Sequence, residues 1–414
     1  MSSLRLLITP RDGLFLKDGR GWYTSDIGRS HSRAWPIPPT LRGALRAAFG
    51  HAWMARTGQE LTPAAWQRIT EDVTVQALVT VRAPMGQDPA PAHRVWPIPA
   101  DALYQQTAPP AAPGPPAIQP ARVVALDPGP PGQPPDHPAV TFLSADRPGD
   151  AGDIAPAVEW SALWRPRVPP GKPAPKPDFW AEQSMMSWLF PGPDRPAMPS
   201  PTGFSLPRRV DVHVTIDPET GAATPTMLFS TELTEALARQ EGECFVRWAM
   251  AARVGLPDGD GAAGPLTIGG GRRLGLCQPA PAALFDPPAE LGGDSPGLRL
   301  VLVTPAEFTR GWLPDGFALS AENRYTGALA GMELILRAAI VDRPLDLSTW
   351  DMVRRRPRET RRLVRPGAVY FFHKASREPF TADDRRRLWL LALGRGTGDG
   401  LGLVVPGCWH RESS

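Results

Sequence analysis

Val210-Asp211-Val212-His213-Val214-Thr215-Ile216-Asp217 alternates apolar and polar side chains without a break. A period of two is the strand period, because successive side chains on a pleated backbone point to opposite faces. The residues that follow, Asp217-Pro218-Glu219-Thr220-Gly221-Ala222, are of the types that turn a chain, and Thr226–Ser230 is the return strand. The stretch therefore reads as a hairpin, and antiparallel sheets are the expected frame. Further strands are expected at 4–8, stopped by Pro10, and at Val73–Val81, Cys244–Ala251, Leu298–Thr304, Met332–Val341, Ala368–Phe372 and Leu403–Val405. Helices are fewer. Leu41, Ala44, Leu45, Ala48 and Phe49 fall on one face of a helix that Thr40 caps and that runs to about Met54. Thr381 caps another over Ala382–Leu393. Many hairpins and few helices indicate an α+β fold.

The 414 residues exceed one ordinary domain, and 52 Pro with 40 Gly interrupt regular structure at 92 positions. Residues 81–200 hold 29 of the prolines. Hydrophobic content of 42% with 14 Trp is ample for a core, which excludes a disordered linker. The organisation expected is a first unit over 1–255 carrying a Pro-rich insertion at about 84–201, then a second unit over 256–414. The insertion reads as extended arms without a core of its own, with islands at Arg122–Leu126, Val140–Leu143 and Phe179–Phe190.

The net charge of +3 conceals two basic ends. Residues 1–60 carry nine Lys/Arg against four Asp/Glu, residues 350–414 carry fourteen against seven, and the middle is left at −9. Such a distribution suits a polyanion contacted by segments that meet in the fold. Of the 45 cations, 41 are Arg, which fits bidentate phosphate contacts but also follows from a GC-rich coding sequence. Cys244, Cys277 and Cys408 lie far apart without metal or disulfide spacing, as expected of a reducing cytoplasm. The start reads as a strand rather than a signal peptide, and no apolar run approaches the ~20 residues of a membrane helix.

Two glycine clusters are the candidates for binding chemistry, the first otherwise a flexible helix-to-strand connection and the second otherwise a tight turn with exposed Arg. Gly394-Arg395-Gly396-Thr397-Gly398-Asp399-Gly400-Leu401-Gly402 has Gly at every second position. Gly269-Gly270-Gly271 is followed directly by Arg272 and Arg273. Glycine lets a backbone approach an anion closely with its N–H groups converging, and guanidinium groups beside it suit phosphate. The order helix–glycines–strand excludes a dinucleotide fingerprint, and there is no phosphate-loop motif for nucleotides. Arg354–Arg362 holds six Arg in nine residues, either a solvated loop or a track along a phosphate backbone. Near the first helix, Arg29, His31, Arg33, Arg42 and Arg46 form a second rank of candidates.

Catalytic signals are thin. His31, between Ser30 and Ser32, is a candidate general base without an identifiable partner in the sequence. Gly292-Gly293-Asp294-Ser295 is similar to a palm-polymerase turn but lacks the second carboxylate for two metals. No cofactor and no metal site is read from the chain.

Several segments together resemble the RAMP proteins of CRISPR antiviral systems, and among them subunit three of the Cmr (type III-B) effector complex. They are Pro10–Arg20 with Trp35–Thr40 and Gly43–Arg46, the hairpin His213–Phe229, Trp350-Asp351 with Arg365–Phe372, and Gly400–Trp409. They cover about half the chain, in order. The resemblance implies two ferredoxin-like (RRM-like) units with antiparallel sheets. It implies a cytoplasmic, non-catalytic subunit that binds the 5′ handle of the crRNA, docks on the large palm-domain subunit, touches the backbone RAMP subunits and meets target RNA only indirectly. RNA contacts are then expected at Gly269, Gly270, Gly271, Arg272, Arg273, Arg395, Gly396, Gly398 and Gly400, with Arg29, His31, Arg33, Arg42 and Arg46 behind them. Two rivals stand beside this reading: a metal-independent endoribonuclease with His31 as base, and a scaffold that binds only proteins.

Overall fold

The computed structural model describes residues 2–16, 29–33, 35, 38–106, 121–126, 128–129, 162–166, 171–191, 201–239, 244–257, 263–351 and 356–410. Its first elements are β1 (Ser2–Pro10), α1 (Pro38–Thr57), α2 (Pro63–Thr70), β2 (Thr74–Pro84), β3 (Arg94–Pro97), β4 (Phe179–Ala181) and α3 (Glu182–Leu189). The hairpin β5 (Arg208–Ile216) and β6 (Ala223–Thr234) follows, then β7 (Phe245–Leu256), β8 (Gly264–Ile268) and β9 (Arg273–Pro279). The chain continues with β10 (Gly297–Leu302), β11 (Tyr325–Leu329), β12 (Met332–Ile340), β13 (Val369–Lys374), α4 (Ala382–Leu388) and β14 (Val404–Trp409).

Two antiparallel sheets dominate, with few helices. The first runs Gly203–Phe204, β4, β3, β2, β7, β1, β9, β8. The second runs Ala318–Leu319, β11, β12, β13, β10, β14. Residues 264–279 pair into the first sheet through β1, so the change of sheet falls between β9 and β10.

Three apolar layers hold the sheets. On the outer face of the first, Leu41, Ala44, Leu45 and Phe49 of α1 cover Leu6, Ile8, Val75, Leu78 and Val254. Each such large side chain contributes roughly 1.5–3 kcal/mol by leaving water. Between the sheets lie Leu7, Val79, Val81 and Ala251 from one side and Val301, Ile340, Val369, Phe371 and Val405 from the other. On the far face Leu298, Leu300, Leu336, Tyr370 and Phe372 pack under Phe308, Leu313, Phe317, Phe380 and Leu388. The central strand β7 is buried on both faces over most of its length, which is why it reads as an apolar run rather than an alternation.

Four sequence expectations change. The first helix begins at Pro38, so Thr40 lies inside it; two prolines occupy the first turn, where no N–H is needed for a helix bond. The helix α2 was not anticipated, although Thr62 accepts from the Ala65 N–H and Pro63 takes the first helical position. The last helix stops at Leu388 rather than Leu393. There Leu390 donates to Val404 O at 2.9 Å and Leu393 to Gly402 O at 2.9 Å, so pairing with the returning chain replaces further helical turns. The described residues of the Pro-rich stretch are not peripheral: they supply β3 and β4 to the first sheet and bury Trp96, Trp164, Trp180, Met185, Met186 and Leu189 between the sheets. Tryptophan and methionine anchor these described residues. The island Val140–Leu143 lies outside the described residues.

The hairpin stands off both sheets. Its strands pair from Arg208↔Thr234 to Val214↔Leu228, and Ser230–Thr231 pair in parallel with Arg29–Ser30. The turn is closed by Asp217, whose Oδ1 accepts from the N–H groups of Glu219 and Thr220. Val210, Val212, Val214 and Ile216 are 42–67% exposed, so the alternation marks a free apolar face rather than a core face. No helix among the described residues is long and apolar enough to cross a membrane.

Candidate nucleic-acid interface

The turn that joins β8 to β9 is zipped to the loop that leaves β1. Gly270 N–H donates to Phe15 O at 2.7 Å, Arg11 N–H to Leu274 O at 2.8 Å, and Leu274 N–H to Asp12 Oδ2 at 2.9 Å. At Gly269, with φ +73°, a Cβ would stand 2.7 Å from Phe15 O, so glycine is required there both for handedness and for approach. Gly271 and Arg272 also have positive φ, at +72° and +50°. Gly269, Gly270, Gly271 and Arg272 are exposed, and Arg273 is half-buried beneath Gly271. The Arg273 Nε–H is buried and makes no hydrogen bond among the described residues. An unpartnered buried donor under an exposed turn is a place that an anion completes.

The hairpin root adjoins this loop. Leu14 and Thr234 exchange backbone hydrogen bonds at 2.8 and 2.9 Å, and Leu16 N–H donates to Ser32 Oγ at 2.9 Å. These bonds place His31 and Arg33 beside β6. His31 Nδ1 lies 3.4 Å from Glu232 Oε2, and Arg208 Nη1 donates to Glu232 Oε1 at 2.6 Å. The partner that the sequence did not reveal for His31 is thus Glu232, 201 residues away. The backbone of Arg29 is held by the parallel pairing with Ser230. Beside the root opens a cleft of about 590 Å³ between the two sheets. Arg33, Lys176, Arg208 and Arg365 line it over a floor that includes Trp35, Trp96, Phe179 and Val303.

A second gathering joins the two basic ends. Arg42 on α1 donates to Val73 O at 2.6 Å and to Asp399 Oδ1 at 2.5 Å. Arg46, one turn on, donates to Thr70 Oγ1 at 3.1 and 3.0 Å. Arg361 reaches Glu307 at 2.9 Å and Asp399 at 3.6 Å. Burial, and then the positive charges of Arg42 and Arg358, push the Arg46 pKa below its usual range. So the described part of the arginine run, Arg356–Arg362, comes near the first helix through Arg358 and Arg361. It does so on a ribbon in which Leu345–Leu347 pair with Arg361–Leu363 and Trp350-Asp351 with Arg356-Pro357. Leu347 and Leu363 pack on Leu401, which roots the ribbon on the glycine-rich segment, and Arg33 donates to Asp346 O across the halves.

The glycine-rich segment divides in two. Arg395 and Gly396 are exposed and Gly398 is half-buried, whereas Gly400 is buried. A Cβ on Gly400 would lie 2.8 Å from Val75 and 3.0 Å from Pro38. Its glycines therefore let the end of the second sheet sit on α1 and β2 of the first. The structure brings Arg42, Arg46, Gly396 and Arg395 to one region and His31, Arg33 and Gly269–Arg273 to the hairpin root. Sequence reasoning missed Lys176, Arg208, Glu232 and Arg365, which carry no local signal because only sheet pairing makes them neighbours. The turn Gly292–Ser295 is folded around the buried Arg385, which donates to Leu291 O, Gly292 O, Ser295 Oγ and Phe380 O at 2.7–3.1 Å and also to Gly293 O.

No curated protein matches the chain in sequence. Two solved chains resemble it over 90% of its length and 86% of theirs. One comes from a cryo-EM structure of the type III-B Cmr-beta bound to cognate target RNA and AMPPnP, with a TM-score of 0.40 and 10% identity. The other comes from the same assembly bound to cognate target RNA, with a TM-score of 0.39 and 12% identity. The family model described as CRISPR-associated protein (Cas_Cmr3) matches residues 6–409, from the first strand to the last, and the chain belongs to that family.

Proposed function

We propose that the chain is a non-catalytic, guide-RNA-binding subunit of a type III-B Cmr CRISPR interference ribonucleoprotein, working in the cytoplasm. In this reading it holds the 5′ handle of the crRNA, docks the large palm-domain subunit at the base of the complex and contacts backbone RAMP subunits. Each half is read as a ferredoxin-like unit, the first built on the sheet that ends in β9 and β8 and carrying the insertion, the second on the sheet that begins with β10. Family membership supports the assembly. The observation that carries RNA binding is the exposed Gly269–Arg272 turn over the unpartnered Arg273 Nε–H, beside His31, Arg33 and Arg208. These groups set several N–H donors at the hairpin root.

The test is a salt titration of binding to handle-bearing guide RNA. Replacing Arg272 and Arg273 by Ala should flatten the slope of log K against log salt by about one unit for each phosphate no longer neutralised. Unchanged affinity and slope would remove the site assignment. A second reading draws on the pair His31–Glu232 at 3.4 Å, which is the geometry of an oriented base. Specific cleavage of a repeat RNA in chelator, abolished in His31→Ala, would replace the binding role with an endoribonuclease. Binding to protein neighbours with no RNA affinity at all would favour the scaffold.

A further inference from the structure

The ribbon between β12 and β13 carries features that the hairpin-root site does not use. Trp350 is 55% exposed, and no other described tryptophan stands among the large apolar side chains left in water. Its register partner is Pro357, and the next pair is Asp351↔Arg356. The ribbon is held in register below this point: Arg358 N–H donates to Thr349 O at 2.7 Å and Ser348 Oγ to Arg358 O at 2.8 Å. Arg356, Arg358 and Arg362 are exposed, and Arg362 lies 3.7 Å from the equally exposed Asp346. A single exposed apolar side chain is ordinary, but an indole face set among exposed guanidinium groups is a combination with a use. The charge says which class. From 354 to 362 the run holds six Arg and one Glu, so an acidic polymer fits it. A flat aromatic face beside guanidinium groups that track a backbone is the combination single-stranded nucleic acid uses, since every base offers a π-face.

We propose that Trp350 is a stacking platform for an unpaired base of single-stranded RNA whose phosphates run over Arg356 and Arg358 toward the first helix. The proposal rests on reading the chain as an RNA-binding protein, but on different residues from the hairpin-root site. RNA leaving that site and a separate strand are two sources of the same chemistry.

The full chain is titrated with a labelled single-stranded oligouridylate, with its blunt duplex, and with handle-bearing guide RNA. Trp350→Ala should weaken binding to the single strand by about five- to a hundredfold, the span that one base–aromatic stack supplies. Trp350→Phe should recover most of the affinity, and duplex binding should not change, because its bases are already stacked. Arg356→Ser with Arg358→Ser should lower the salt slope on the single strand. Since Trp350 is exposed, the variants keep the wild-type melting temperature. If the wild type binds and Trp350→Ala binds equally well, or is weakened on single strand and duplex alike, this inference falls while the hairpin-root site stands. A surface that serves only a protein partner falls under the first of these outcomes. If the wild type binds no RNA of any kind, the reading of the chain as RNA-binding fails and takes the inference with it. Weakening in Trp350→Ala confined to guide RNA assigns the platform to that strand, and weakening on both single strands assigns it to any open base.

Discussion

Single residues decide how closely two backbones approach. Gly402 has φ +77°, and a Cβ there would fall 1.9 Å from Leu393 O. The glycine also accepts from Leu393 N–H at 2.9 Å, so the backbones of the two passing segments touch where a side chain would be. Gly402→Ala should therefore destabilise the protein by about 2 kcal/mol or more, through strain and displaced pairing together. Chemical denaturation with an unchanged m-value checks it; a midpoint like the wild type's would mean that the segment gives way without cost. The alternating glycines showed in the sequence, but the reason for the last two did not. Phosphate binding and close packing ask for the same residue, and only the neighbours at Gly400 and Gly402 tell them apart. Arg385 makes a similar point. Its guanidinium is buried and meets four carbonyls and a hydroxyl, yet in sequence it is one of three adjacent arginines above a helix cap.

Elements form where local chemistry suffices. In α4, Thr381 Oγ1 accepts from Asp384 N–H at 3.2 Å while Asp384 Oδ2 accepts from Thr381 N–H at 3.0 Å, and Lys374 Nζ donates to the same carboxylate at 2.7 Å. Burial alone would raise the Asp384 pKa, but the bonds from Lys374 and Thr381 outweigh it and hold the carboxyl below the usual aspartate range. A depressed folded pKa stabilises the native state fully above the unfolded value, and that share is lost as pH falls through the folded one. Asp384→Asn should thus cost about 1 kcal/mol at neutral pH, and the gap to the wild type should narrow as pH drops below ~4. Thermal melts of both proteins across that range test it; a constant gap would point to packing instead of charge. The cap was legible because it spans four residues. The end of the helix was not, since Leu390 and Leu393 bond to a strand that returns later in the chain. Likewise α1 showed its apolar face at helical spacing, while the position of Arg42 against Asp399 did not show at all.

At the scale of the whole molecule, the described residues of the Pro-rich stretch are part of the core. Trp96 Nε1 and the buried Arg94 both bond to Glu182, and Trp180 donates to Tyr104 at 2.6 Å, so the segment is tied internally as well as between the sheets. Removing residues 85–201 would strip several buried large side chains from the layer between the sheets. Truncating one such tryptophan costs roughly 3–5 kcal/mol, and a domain's whole stability is about 5–15 kcal/mol. The deleted chain should show no cooperative melt; a near-wild-type transition would make the stretch an accessory after all. The amino-acid sequence by itself determined the longer strands, the hairpin and its turn, the apolar face of α1, the cap of α4 and the basic character of both ends. Backbone periods of 2 and 3.6 and the chemistry of turns act within a few residues, so they leave a readable imprint. Tertiary structure alone decided which surface is free and which is core. It left the alternating valines of the hairpin in water, drew tryptophans of the proline-rich stretch inside, and set Arg42 against Asp399 across 357 residues. Those outcomes follow from burial and pairing between distant segments, which no local pattern records.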